Sequence, residues 1–251
     1  MATPHVTDTS VSDALGWVPD RLEQLGDAVR DAASDLVADV VAVLRPRTRG
    51  WVHAGLTPLV VVIGVLLVSA AEAGVERLAT AVFAVSSLLL FAVSALYNLH
   101  PWAGAAGVWL QRFDHANIYV LIAGSYTPFA VLLLSGGAAV TMLVLAWAGA
   151  FVGATFRIGF PHAPRWASTG SYLALGWVAI GFAPQLIGAG APLALALLAL
   201  GGLLYSAGAV VYARKAPDPW PTWFGFHEIF HCFTAAGFAA HCAGVFVLHA
   251  G

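Results

Sequence analysis

Two histidines four residues apart stand in the last apolar stretch of this sequence, in the segment His227-Glu228-Ile229-Phe230-His231. On a helix that spacing puts both imidazoles on one face about one turn apart. The pair is half of a tetrahedral zinc site; two interfacial histidines bonded to neighbouring helices would show the same spacing. The segment also has the form of the zinc-protease helix, in which the glutamate activates water. Intramembrane proteases of that kind need a further aspartate in an Asp-Gly context, and no Asp-Gly pair occurs here. Glu228 is turned about 100° from His227, toward a neighbouring helix or the interface. Ser94 and Asn98 form a second i, i+4 pair, followed by His100 and Pro101. Asp114 can ligate a metal, accept from a metal-bound water as a general base, or pair with Arg112. His241 lies ten residues past His231, roughly 15 Å along a helix, and is read as a packing or hydrogen-bonding residue.

These groups are scarce polar residues in an apolar chain. Of 251 residues, 60% are hydrophobic and 10% charged, against about 25% charged in a soluble domain. Seven apolar stretches are long enough to span a bilayer, at about 51–71, 78–99, 114–135, 137–156, 168–188, 191–212 and 227–249. The predicted fold is therefore an all-α, seven-transmembrane helix bundle. The third and fourth spans are parted only by Ser135-Gly136-Gly137. Arg21, Arg30, Arg45, Arg47, Arg49, Arg112, Arg157, Arg165, Arg214 and Lys215 all fall on one side of such a bundle, and only Arg77 on the other. Basic residues mark the cytoplasmic side, so the N-terminus is expected in the cytoplasm and the C-terminus outside, in the cell inner membrane. The second span then ends, and the third and seventh begin, at the cytoplasmic face. Ser94, Asn98, Asp114, His227 and His231 share that depth. Unpaired polar groups in hydrocarbon cost several kcal/mol each, so they are expected to converge.

Residues 1–50 are expected to form a separate cytoplasmic segment, with 51–251 as the membrane domain. Leu22, Leu25, Val29, Ala32, Leu36, Val40 and Val43 recur at helical spacing, and Glu23, Asp27, Asp31, Asp35 and Asp39 form a row at i, i+4. This predicts an amphipathic helix whose acidic row repels itself and which docks on cytoplasmic loops or on a second copy, giving a homo-oligomer. Eight of the 13 acids precede residue 50 and the net charge is −2, which speaks against a nucleic-acid partner. No signal peptide is expected, because the first thirty residues lack a basic start and an apolar run. Cys232 and Cys242 are too far apart on one helix for a disulfide. Pro128 removes a hydrogen bond from the third span, and Ser125 and Thr127 can satisfy part of the freed backbone.

Taken together, Ser94-Ala-Leu-Tyr97, Arg112-Phe-Asp114-His115-Ala-Asn-Ile-Tyr119, Leu121-Ile-Ala-Gly-Ser125-Tyr126-Thr127-Pro128 and Phe226-His227-Glu228-Ile-Phe230-His231 resemble the haemolysin III family. That family is the bacterial branch of the progestin and adipoQ receptor family, and the resemblance covers about residues 45–250. It implies seven helices with the N-terminus inside and a zinc ion near the cytoplasmic leaflet. By resemblance to the adiponectin receptors, the zinc would be held by His227, His231 and a histidine at position 98, beside Ser94 and Asp114. Position 98 is asparagine, and an amide oxygen is a poor zinc ligand. Three alternatives follow. Asn98 binds weakly or bonds a zinc-bound water while Asp114 becomes a ligand; His100 takes the place; or the site holds no metal or holds it weakly. A retained but weakened zinc site is expected.

The resemblance carries three functional expectations. One is a zinc-dependent, ceramidase-like hydrolase of a lipid amide or ester, with Asp114 and Ser94 catalytic. Another is a non-enzymatic receptor-like or regulatory protein of membrane lipid or energy homeostasis. The last is a channel-forming cytolysin, disfavoured because no span carries the polar stripe of an aqueous channel.

Overall fold

The computed structural model describes residues 21–33, 46–161 and 163–250. The chain divides into two units, one ending at Leu44 and one beginning at Arg45. Within the first, residues 21–33 are helical and exposed, with Arg30 paired to Asp27 at 3.2 Å. The rest of the predicted amphipathic stripe, Leu36, Val40 and Val43 with Asp35 and Asp39, lies outside the described residues.

The second unit contains seven helices long and apolar enough to cross a membrane. They are α1 (Trp51–Ala70), α2 (Val75–Leu99), α3 (Gly104–Leu133), α4 (Gly136–Gly159), α5 (Arg165–Gly188), α6 (Pro192–Arg214) and α7 (Phe226–Ala250). Successive helices pack side by side and α7 returns against α1, closing a ring. The middle helix, α3, also reaches α5 and α7 and is the most buried of the seven. One core cluster centres on Tyr119, Tyr126, Met142 and Tyr172, and another on Phe83, Phe91, Phe129 and Phe238. Leu66, Phe151 and Ile187 are exposed, as lipid-facing side chains must be, since hydrocarbon solvates them as well as a core does.

Small residues set the helix spacing. A Cβ at Gly124 would run into the Ser86 side chain of α2, and one at Gly153 into the Tyr119 ring. Such approaches suit membrane helices, whose association depends on close packing and hydrogen bonds. Ser135 and Gly136 do separate α3 from α4: Ser135 is extended and Gly136 takes φ +55°. The helix continues through Pro128, with Ser125 Oγ donating to the Ile122 carbonyl and Thr127 Oγ1 to that of Ala123, both at 2.9 Å.

Two spans differ from their expected form. α3 begins at Gly104, ten residues before the expected Asp114, because Gln111 and Arg112 interrupt apolarity without interrupting helical propensity. α5 is broken: an α-helix to Gly176, a 3-10 segment Val178–Phe182, and a last turn Ala183–Gly188. Pro184 has no N–H to return to the preceding turn. The loosened backbone is held from other helices. Tyr126 donates its hydroxyl to the Gly176 carbonyl, and Trp177 Nε1 donates to Ser206 Oγ at 3.0 Å. Tyr126→Phe is expected to cost about 1–2 kcal/mol by removing the partner of a half-buried carbonyl, read as a lowered midpoint of thermal unfolding in detergent. An unchanged midpoint would mean that this bond does not hold the break.

Candidate functional site

The bundle gathers its polar side chains where α2 ends and α1 and α7 begin. α7 starts under a double cap: Glu228 Oε2 accepts from the Gly225 N–H at 2.9 Å, and Asp218 Oδ1 from that of Phe226 at 3.0 Å. Carboxylates are favourable at a helix N-terminus, and Glu228 is fully buried there. One oxygen of its carboxylate thus caps its own helix end, while Oε1 is buried without a hydrogen bond among the described residues.

One turn on, His227 and His231 share a face as expected, with ring centroids 4.4 Å apart and edge to face. His231 stacks on a further histidine, His53 of α1, at 3.8 Å and 13°. Neither ring nitrogen of His53 has a hydrogen-bond partner among the described residues. His227 Nε2 and His231 Nδ1 are likewise buried without a hydrogen bond among the described residues.

Opposite them, Asn98 and Ser94 of α2 are buried. Asn98 Nδ2 donates to the Ser94 carbonyl at 2.9 Å and to Ser94 Oγ at 3.3 Å, while Asn98 Oδ1 accepts from Arg49 Nε at 3.1 Å. Asp114 of α3 faces Ser94 and Asn98, with His115 and Arg49 also close by. The alternative of an Asp114–Arg112 pair fails, since Arg112 lies over the Trp109 ring at 5.0 Å. His115 donates from Nδ1 to the Gln111 carbonyl at 2.6 Å, and its Nε2 meets the Tyr212 hydroxyl at 3.4 Å. His241, deeper in the bundle, contacts the Leu198 carbonyl through Nε2 at 3.2 Å and packs against Phe129 and Tyr205, a packing role as read from its position.

Ser94, Asp114, His115 and His227 are among the residues that line a cavity of about 290 Å³. Beyond them its walls are mainly apolar, including Leu90, Ile118, Ile122, Leu195 and Leu198. The volume is near the lower end of small-ligand sites, which also combine apolar walls with a few polar groups.

The residues present do not fit zinc. Among the described residues no three His, Cys, Asp or Glu side chains converge as a ligand set. The expected set was His227, His231 and Asn98, with Asp114 as ligand or water partner. It lacks its third vertex because the Asn98 oxygen already takes an N–H from Arg49. His100, the possible substitute, follows the end of α2 in extended backbone, is exposed, and packs edge-on against Trp102 outside the cavity. His53 cannot complete the set as placed, because lone pairs of stacked rings lie in parallel planes and do not meet at one ion.

Of the site residues expected from sequence, Ser94, Asn98, Asp114, His227 and His231 come together, and His100 does not. Sequence reading passed over His53 and used Arg49 only to orient the bundle. A lone imidazole near the start of the first apolar run, at the level of the other polar groups, was the available signal for His53.

A family model described as Haemolysin-III related matches residues 41–242. A hemolysin-3 homolog of Bacillus subtilis (strain 168) is 38% identical over 160 residues, 63% of this chain and 71% of that protein. Hemolysin-3 of Bacillus cereus is 34% identical over 184 residues, 70% and 78% of the two chains. A more distant relative, the heptahelical transmembrane protein ADIPOR2 of Oryza sativa subsp. japonica, is 28% identical over 193 residues, 70% and 83%. The seven apolar helices, the convergent polar end and these matches agree: the chain is a multi-pass membrane protein that belongs to the haemolysin III family.

Proposed function

We propose that this protein binds a single-chain membrane lipid and acts as a non-enzymatic, receptor-like or regulatory component of membrane lipid homeostasis. The observation that carries this reading is the cavity, whose walls are mainly apolar with Ser94, Asp114 and His227 among its few polar groups. An acyl chain would lie against Leu90, Ile118 and Ile122, and a hydrogen-bonding head group would meet Ser94, Asp114 and His227. The ten-to-one division of basic residues supports placing those polar groups in the cytoplasmic leaflet of the cell membrane. Lipid extraction and mass spectrometry of purified protein test the proposal. Wild type is expected to retain one class of single-chain lipid. Ile122→Trp, which fills the cavity, should retain at least about tenfold less, a loss of ~1.4 kcal/mol in binding. Equal retention by both would reject it.

A second reading, hydrolysis of a lipid amide or ester, draws on Ser94, Asp114 and His115 lining the same cavity, with Ser94 against Asp114, a hydroxyl beside a group that can activate it. Asp114→Asn and His227→Ala should each abolish lipid turnover if it is right, and unchanged turnover in either removes it.

A further inference from the structure

The mismatch between zinc and this donor set has a specific source. Arg47 N–H donates to the Thr222 carbonyl at 3.0 Å and Thr48 N–H to that of Trp223 at 3.2 Å. The Arg47 guanidinium lies over the Trp223 ring at 4.8 Å. The segment before α1 is thereby tied to the loop that leads into α7. Immediately after it, Gly50 takes φ +81°, and a Cβ there would meet the Asn98 carbonyl carbon and the Leu99 nitrogen at 2.9 Å each. Only glycine allows both that backbone conformation and that approach. Arg49 is held between these two anchors, and its side chain turns inward to the end of α2.

We propose that the Arg49 guanidinium is the built-in cation beside this polar cluster, bound through its Nε–H to Asn98 Oδ1 in place of a metal, so that this chain is a zinc-independent member of its family. The two residues are matched. An amide oxygen is a good acceptor for a guanidinium N–H and a poor zinc ligand. Asp114, a partly buried carboxylate that faces Asn98, has Arg49 as a nearby fixed positive charge, which offsets part of the cost of taking it from water. A zinc ion placed beside His227 and His231 would meet the fixed guanidinium charge at close range. The inference holds whether or not the cavity takes a lipid.

Elemental analysis of purified protein from zinc-supplemented cultures tests it. Wild type is expected to carry far less than one zinc per chain, and so is Asn98→His, because Arg49 stays in place. The double variant Arg49→Asn/Asn98→His should carry close to one zinc per chain and lose it when His227→Ala is added. Three results would overturn the proposal: stoichiometric zinc in wild type that disappears in His227→Ala, equal zinc in Asn98→His and the double variant, or a monodisperse double variant that stays zinc-free. A measurement without variants keeps the idea open to failure should the double variant not fold. The thermal midpoint of wild type should be unmoved by a chelator or by added zinc, and a chelator-induced fall would refute it.

Discussion

Gly50→Val is expected to destabilise the protein by about 3 kcal/mol, combining a β-branched residue at positive φ with an overpacked contact. The contact is with backbone, the Asn98 carbonyl carbon and the Leu99 nitrogen at 2.9 Å, so no side chain can rotate away to relieve it. α1 and α2 must part at this end, and the Arg49–Asn98 bond parts with them. Thermal unfolding in detergent measures the cost. Gly50→Asn separates its two components: asparagine tolerates a left-handed backbone yet still carries a Cβ, so most of the loss should remain. Gly136 supplies the control, since it has φ +55° and nothing within 4 Å of its hypothetical Cβ. Gly136→Asn should be close to neutral. If Gly50→Asn and Gly136→Asn prove equally mild, the close approach of α1 to α2 is wrong.

Phe129→Ala should cost about 3–5 kcal/mol, the usual range for emptying a core aromatic site. Phe129 is fully buried, and a Cβ at Gly244 would touch its ring at 2.9 Å. The ring also meets His241 edge to face at 5.8 Å. In a bilayer the loss comes mainly from forfeited packing, because lipid is as apolar as the core. The vacated volume borders His241, which lines the cavity, so the variant should also bind the proposed lipid less tightly. Phe151, 74% exposed, is the matched control. Phe151→Ala should leave the midpoint nearly unchanged, and equal losses at the two positions would place Phe129 at the lipid surface and contradict its burial.

These sites divide by how the sequence announces them. Ser94, Asp114, His227 and His231 could be brought to one level from sequence because helices that cross a bilayer must alternate direction, so the ends of the second, third and seventh spans share a side. The long match to a known family sharpened that set. The third span's start was misplaced because hydropathy and helical propensity part company at Gln111 and Arg112. The break in α5 was missed because residues 168–188 read as one apolar run, whereas Pro184, the bond from Tyr126 and the bond that Trp177 donates to Ser206 decide its shape.

By itself, the sequence determined seven membrane-crossing helices and a shared depth for most of the polar residues. The cause is local: in hydrocarbon each backbone must satisfy its own hydrogen bonds, so length and apolarity suffice to specify a spanning helix. Tertiary structure alone decided which groups touch. Arg49 reaches Asn98, His53 stacks on His231, Glu228 turns back to cap its own helix, and His100 faces away. Those outcomes depend on how closely and at what rotation two helices meet, which glycines such as Gly50 set through contacts between residues far apart in the chain.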